Sequence, residues 1–506
     1  MELFPSLSLL FITFISLYVY FFLKPTSKAE TKASGFKSYP LVGVLPEFLR
    51  NRHQFLQWST EVLSGCATQT AVFNRPGKIH GVITANPLNV EHMLKTNFEN
   101  YPKGPRFNSI LEDFLGQGIF NADGELWRGQ RKTASYEFNT RSLRNFVMEN
   151  VTMEIQTRLV PLLEKAAATD KVLDLQDVLE RFAFDNICKV AFNVDPSCLG
   201  GDGTTGGEFM TAFEEATSIS ADRFRYALPG LWKIKKLLGI GSEKRLAQSI
   251  SKVHEFADKI ISSRLEEQAT KNNDEDLLSR FVGNSENSPE FLRDIVISVI
   301  LAGRDTTSSA LTWFFWLLSS RPEIQENILK ELKTIRQQYG KTKNIGEAYN
   351  FDELRQMHYL HAAISESMRL FPPVSIDTKY CSDDDTMPDG SYVGKGWYVT
   401  YNSYAMGRMI SVWGQDCFEY KPERWLENGI FKPESPFKFP VFNAGPRICL
   451  GKDMAYIQMK YIAASILERL KMDVLLERGK CPEMLLSLTL RMKGGLPVSM
   501  KQRLSE

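Results

Sequence analysis

Cysteine is scarce in this chain, with seven in 506 residues, and no two stand in a C-x-x-C pair. That argues against a disulfide scaffold and makes a reducing compartment the default. An excess of one charge sign is also missing, since 61 Lys and Arg face 60 Asp and Glu for a formal +1. A protein built to grip nucleic acid carries a basic excess, so no nucleic-acid partner is expected. Internal repeats, low-complexity tracts and a P-loop are absent. One G-x-G-x-x-G match, Gly201 to Gly206, lies in a Gly-rich loop after a helical segment. The acidic residue a dinucleotide site needs about 20 positions on is replaced by Tyr226, so this reads as a loop.

Charge is missing again from Leu3 to Leu23, a run of 21 residues. At ~1.5 Å per residue it spans ~32 Å, one hydrocarbon core. A cleaved signal peptide has a basic start, a shorter apolar core and a small-residue cleavage site. Here the run opens after Glu2 and leads straight into Lys24, so residues 3–23 read as a retained transmembrane anchor. Lys24, Lys28, Lys32 and Lys37 against Glu30 place the following body on the cytosolic side. Residues 24–45 read as a basic linker ending in a Pro-containing hinge, and residues 46–506 as one catalytic domain.

The body is mainly helical with small β-sheets. Thr68–Phe73 and Ile79–Thr84 are β-rich around the turn Asn74-Arg75-Pro76-Gly77 and predict a hairpin. Leu143–Glu164 and Leu175–Val194 carry apolar residues at helical spacing. Ser288 and Pro289 predict the start of a helix running to about Ser320, apolar nearly all round. Arg304 and Asp305 at its middle weigh against a membrane span, so it reads as a buried central helix. Gly303 and the Thr306-Thr307 pair should loosen it there. A helix over Phe351–Leu370, strands at Trp397–Tyr401 and Leu486–Arg491, and a final hairpin turning at Gly494-Gly495 complete the pattern.

The chemistry concentrates at Phe442-Asn443-Ala444-Gly445-Pro446-Arg447-Ile448-Cys449-Leu450-Gly451. Met454, Ala455, Met459, Ile462, Ala463 and Ile466 recur at helical spacing just after it, so Cys449 sits at or just before a helix N-terminus. Backbone N–H groups and the helix dipole there favour a thiolate over the free-Cys pKa of ~8.5. Gly445 and Gly451 allow close approach of the backbone to something flat, and Arg447 adds a fixed cation. The residues alone thus describe a rigidly held thiolate for a metal. Cys66, Cys188, Cys198, Cys381, Cys417 and Cys481 read as buried structural cysteines. His358 and His361 read as surface residues rather than zinc ligands, and Asp383-Asp384-Asp385 as a solvated acidic run.

This stretch resembles the haem-binding loop of cytochromes P-450, F-x-x-G-x-R-x-C-x-G, at every fixed position. Three more motifs of that family follow the right order. Ala302 to Thr307 resembles the oxygen-activation motif of the central helix. Glu366 to Arg369 resembles the E-x-x-R pair, with Pro422-Glu423-Arg424-Trp425 as its partner, and Trp127 with Arg131 resembles W-x-x-x-R. The resemblance implies haem b held by Cys449 as axial ligand, in a site that includes Phe442, Gly445 and Gly451. It also implies propionates bound by Arg447, Trp127 and Arg131, and a buried structural network of Glu366, Arg369 and Arg424. Thr306 and Asp305 would handle oxygen and its protons. Electrons would come from NADPH through NADPH–cytochrome P-450 reductase, since no reductase fingerprint is visible. Lys438, Lys452, Lys460, Arg128 and Lys132 are candidates for its docking face.

Within the superfamily the chain resembles the plant fatty-acid ω-hydroxylases, through Gly118–Gly124, Gln130-Arg131-Lys132 and Arg181–Cys188. Ala302 stands where animal relatives carry a haem-esterifying Glu, so covalent haem attachment is not implied. By the same analogy an apolar pocket would be lined by Phe107, Ile110, Leu111, Phe114 and Phe120 near the C helix. The central helix would add Val299, Ala302 and Thr306, with Val374, Ile376, Leu488 and Thr489 from the C-terminal half. The resemblance implies a monooxygenase of the endoplasmic reticulum membrane, single-pass, using O2 on an apolar small molecule. Terminal hydroxylation of a fatty acid, of a sterol side chain or of an oxylipin–amino acid conjugate remain open, as does a haem carrier without turnover.

Overall fold

A helix that is apolar on every face is stable only when neighbours cover it all round, and the architecture is arranged to do so. The computed structural model describes residues 35–503, apart from 78, 139–140, 201–205, 227–229, 271–275, 285–286, 342–345 and 478. The anchor segment 3–23, most of the basic linker and most of the G-x-G-x-x-G match lie outside the described residues. Phe36 already packs against the body, and Tyr39 and Val44 are buried in it.

In chain order, β1 (Thr70–Arg75) and β2 (Ile79–Thr84) form the hairpin, in register Thr70↔Thr84 to Arg75↔Ile79. Helices α1 (Gly104–Leu115) and α2 (Gly124–Phe138) come next. A short strand β3 (Leu173–Asp174) leads into α3 (Leu175–Phe192), followed by α4 (Gly207–Asp222), α5 (Leu231–Leu238) and α6 (Gly241–Thr270). The central helix is α7 (Pro289–Ile300), one π turn (Leu301–Asp305) and α8 (Thr306–Ser319). Helices α9 (Phe351–Gln356) and α10 (His358–Leu370) precede β4 (Ile376–Tyr380) and β5 (Tyr398–Asn402). Last come α11 (Lys452–Arg469) and the strands β6 (Leu470–Val474), β7 (Met484–Leu486), β8 (Leu490–Met492) and β9 (Pro497–Gln502). The larger sheets run β1-β2-β5-β4 and β6-β9-β3.

The central helix starts as the sequence predicts. Ser288 Oγ accepts from the Phe291 N–H at 3.2 Å, with Pro289 in the first turn; such a cap contributes about 1 kcal/mol. Its first half packs into one apolar cluster through Ile295, Val296, Ile297 and Ile300. The second half packs into another through Leu311, Trp313, Phe314 and Phe315. At the join, a Cβ on Gly303 would lie 2.4 Å from the Ile187 side chain of α3, so only glycine allows the two helices to cross this closely. The π turn sits at this crossing, where the helical ladder is interrupted.

Other expectations need correction. The predicted helix Phe351–Leu370 is two helices, because Met357 leaves helical geometry at ψ 76°. The first is closed by a capping box between Asn350 and Glu353. Leu486–Arg491 is not one strand but the tip of the β7–β8 hairpin, with Leu486↔Leu490 in register. Gly494-Gly495 does turn the chain, but β9 then pairs with β6 and β3 rather than with β8.

One buried carboxylate ties this half together. Glu366 and Arg369 are one turn apart on α10 and meet in two bonds of 2.7 Å. Glu366 also accepts from Arg424 Nε at 2.8 Å, Trp425 Nε1 at 2.9 Å and the Lys421 N–H at 3.0 Å. Arg369 donates onward to the carbonyls of Gly407, Cys417 and Glu419. Removing the carboxylate strands two guanidinium groups, at a cost of about 3–5 kcal/mol. Glu366→Ala should therefore lower the thermal midpoint sharply and deplete folded holoprotein; an unchanged melt by circular dichroism would contradict this.

Candidate functional site

The cysteine loop is shaped by two backbone constraints. Gly445 has φ +62°, and a Cβ there would lie 1.8 Å from the Leu94 carbonyl oxygen. The glycine expected to face something flat is thus required by the protein's own backbone. Gly451 has an ordinary φ of −87° and acts as the N-cap position of α11. Between them the Cys449 N–H donates to Phe442 O at 2.8 Å, which closes the loop and fixes the thiol just before the helix. Phe442 is in turn packed against Tyr456 of α11, with ring centroids 5.2 Å apart.

Cys449 is set deep in the fold yet remains solvent-accessible. Burial pushes its thiol above the ordinary range, while the Gly451 N–H, Arg131 and Lys452 pull the other way. The expected thiolate is therefore not produced by the helix terminus alone, because desolvation outweighs it. A metal cation bound by Cys449 would supply the missing driving force for deprotonation.

Trp127, Arg131 and Arg447 converge on this loop. Arg131 donates to the Ile448 carbonyl, one residue from Cys449. The Arg447 guanidinium lies over the buried Trp127 ring at 4.3 Å. It donates to Ala122 O at 2.9 Å and to Asp123 at 2.7 Å, and its Nε is buried without a partner. Sequence reasoning missed the rest of this cluster. Asp123 also accepts from the backbone N–H groups of Lys103 and Gly104, both at 2.9 Å. Nearby, Asp377 on β4 pairs with Lys103 at 2.5 Å and Lys379 at 3.0 Å. Burial pushes Lys379 down to about 7, with Lys103 and Arg447 adding repulsion. Although burial opposes it, these two lysines hold Asp377 well below the usual carboxylate range. The only available signal was alternation in Ile376–Tyr380, which placed Asp377 and Lys379 on one strand face.

On the central helix, Val299, Ala302 and Thr306 are, with Gly303, the positions left accessible on a segment otherwise largely buried. Their i, i+3, i+7 spacing puts them on one face. Thr306 Oγ1 donates to Ala302 O at 2.7 Å. Asp305 points into a buried ionic group instead, bonded to Arg304 at 2.6 Å, which also holds Glu180 at 2.9 Å. Glu180 is further paired with Arg491 at 2.7 Å. Burial pushes the Asp305 pKa up, with Arg304 and Arg491 opposing.

The proposed lining residues divide. Phe107, Val299 and Leu488 are partly buried and pack against the same apolar cluster; Ile376 is partly buried, and Phe120 and Val374 are exposed. Ile110, Leu111 and Phe114 are buried in the core, Phe114 against Phe213 at 5.3 Å. Thr489 is buried too, and its hydroxyl has no partner.

Several surface expectations fail. Lys460 is buried and donates to the Leu354 carbonyl, so it leaves the basic face. Arg128 is committed to Glu99 and Glu125, and Lys438 to Glu434; Lys452 and Lys132 remain. His361 is packed between Phe431 and Tyr456, with centroids at 3.8 and 4.0 Å. Asp385 is structural, accepting from His92, Tyr101 and Asn97 at 2.7–3.0 Å. Cys481 is exposed, unlike Cys66, Cys188, Cys198, Cys381 and Cys417.

Among the described residues, no three His, Cys, Asp or Glu side chains converge to hold a bare ion. A lone thiol ligand suits iron whose in-plane positions a porphyrin fills, and the cationic cluster beside it suits that ring's carboxylates. The fold and site define a haem-thiolate protein. Comparison with known proteins agrees. The family model described as Cytochrome P450 matches residues 34–497. Cytochrome P450 CYP94D108 of Paris polyphylla is 50% identical over 463 residues, covering 91% of each chain. Cytochrome P450 94A1 of Vicia sativa is 46% identical over 477 residues, covering 92% of this chain and 90% of its own. Cytochrome P450 94B1 of Arabidopsis thaliana is 44% identical over 517 residues, covering 99% and 98%. The chain belongs to the cytochrome P450 family and is a P450 monooxygenase. Replacing Cys449 by Ser should leave the helical circular dichroism in place and abolish the thiolate-type Soret band of the reduced, carbon monoxide-treated protein. A retained band would remove Cys449 from its role.

Proposed function

We propose that this monooxygenase hydroxylates the terminal or near-terminal carbon of a fatty acid, using O2 and electrons relayed from NADPH by NADPH–cytochrome P450 reductase. The accessible face of the central helix carries this reading. Val299 and Ala302 offer hydrocarbon surface, with Thr306 as the one hydroxyl beside them. Phe107, Phe120, Val374, Ile376 and Leu488, apolar and at least partly accessible, are the side chains expected to extend the lining, which suits a long alkyl chain.

Haem bound through Cys449 supplies oxygen activation, the thiolate ligand favouring O–O cleavage. The chain's own residues position and deliver protons. Arg447, Arg131 and Trp127 would hold the propionates. Gly445, Phe442 and Gly451 keep the Cys449 sulfur in place. Thr306 Oγ1 donates a hydrogen bond to Ala302 O; a rotamer change would redirect that donor to the accessible side of the helix. Asp305, held by Arg304 in the buried ionic group, would take part in proton handling only on leaving that pairing. Arg304 and Arg491 keep it in place.

Association with the endoplasmic reticulum membrane, body on the cytosolic side, rests on the apolar run 3–23 and its basic flank. A second feature supports a membrane-facing surface. Helix α5 exposes Ile234, Leu237 and Leu238, Leu237 by 86%, and carries Lys233, Lys235 and Lys236. Apolar side chains with interspersed lysines suit an anionic lipid surface. No described helix is long and apolar enough to cross a membrane.

Membranes carrying the protein and its reductase, given NADPH and a panel of C12–C18 acids, sterols and oxylipin conjugates, should yield ω- or near-ω-hydroxy acids. Turnover of a sterol or conjugate with no fatty-acid product would overturn the substrate. In the same assay Thr306→Val should lower product per NADPH consumed by at least about tenfold; unchanged coupling would remove Thr306 from proton handling. Alkaline carbonate should leave the full-length protein in the membrane pellet, and its release would contradict the anchor.

A further inference from the structure

A cavity of about 760 Å³ lies on the side of the cysteine loop bounded by α9, α10, α11 and the segment 431–439. None of the proposed substrate-lining residues borders it. Its walls are largely aromatic, with Trp425, Phe431, Phe439, Phe442 and Tyr456. His361 stacks between two of them, and its Nε2 is buried with no hydrogen-bond partner. Burial pushes this imidazole down to about 2, helped by Lys460 and Lys452, so the ring is neutral and carries one N–H.

The charges around the cavity are unequal in their commitments. Arg355 lies 5.9 Å from the Phe351 ring and Lys452 lies 5.9 Å from the Phe442 ring. Among the described residues neither forms an ion pair. Of the two acids at the rim, Glu434 is taken by Lys438 at 2.7 Å, and Asp453 sits exposed in the first turn of α11. Aromatic walls, two uncommitted cations and an unpaired imidazole nitrogen select a flat ring bearing an anion. The volume is within the range of small-molecule sites.

We propose that this cavity is a second ligand site, separate from the substrate channel, for an aromatic carboxylate. The ring lies against Phe431, Phe442 and Tyr456, and the carboxylate meets Arg355 and Lys452. Phe442 and Ile448 belong to both this cavity and the cysteine loop, and Phe442 O accepts the Cys449 N–H. Ligand bound here therefore touches the residues that hold the iron ligand.

The test uses full-length, detergent-solubilised holoenzyme with imidazole saturating the iron, titrated calorimetrically with 2-naphthoate and the neutral 2-naphthamide. One saturable naphthoate site is expected, at least about tenfold tighter than the amide, the scale of one charge-assisted pair. Arg355→Gln and Lys452→Gln should each weaken naphthoate about five- to tenfold and leave the amide unmoved. Both are rim side chains, so folding is retained and checked by the carbon monoxide spectrum. No saturable binding, equal affinity for acid and amide, or naphthoate affinity unmoved by both variants would overturn the proposal.

Discussion

The structure depends on holding one thiol still. Cys449 remains solvent-accessible, yet the protein packed around the loop disfavours the charged sulfur that a metal needs. The loop's own contribution is a fixed position for that sulfur. A glycine with no room for a Cβ, a backbone bond from Cys449 to Phe442 and the first turn of α11 fix the sulfur from three directions. Everything else that is charged near the loop is arranged around that point. Arg131 grips the loop's own carbonyl, and Arg447 is stacked on Trp127 and anchored by Asp123.

The central helix solves a second problem, how to carry ions through an apolar axis. Arg304 and Asp305 lie where α7 gives way to α8, and both are buried. Isolated, each would be costly; here their charges are paired with one another and with Glu180 and Arg491, although Arg304 Nε has no hydrogen-bond partner. The π turn at the same place carries Ala302 and leads directly into Thr306, two positions of the accessible face. Rigid apolar packing on one side and an adjustable hydroxyl on the other thus meet within a single turn.

Much of this was legible in the sequence, and the limits are instructive. Local rules served well where the determinants are local. The Ser288 cap, the Gly303 loosening, the β1–β2 hairpin and the motif around Cys449 all read directly from neighbouring residues. Long-range pairing was hidden. Asp123 finding Arg447, Lys103 finding Asp377, and Glu180 finding both Arg304 and Arg491 depend on segments 124 to 324 positions apart. Periodicity alone did not place the break at Met357, since the apolar pattern continues through it. Nor did it reveal that β9 leaves β8 for β6. Charge was misleading as an index of exposure, for Lys460 is buried on a carbonyl and His361 lies among aromatic rings. Apolarity was equally ambiguous, because Ile110, Leu111 and Phe114 fill the core while Phe107 and Phe120 remain accessible.

Core residues fix the helices, and under the proposed function the few apolar side chains left accessible would define what the iron face meets. All of it presupposes that Cys449 is the protein's ligand to haem iron. X-ray absorption at the iron edge of the purified protein tests that most directly. The account predicts one sulfur in the first coordination shell, lost when Cys449 is replaced by Ser. A shell of nitrogen and oxygen alone in the unaltered protein would contradict it.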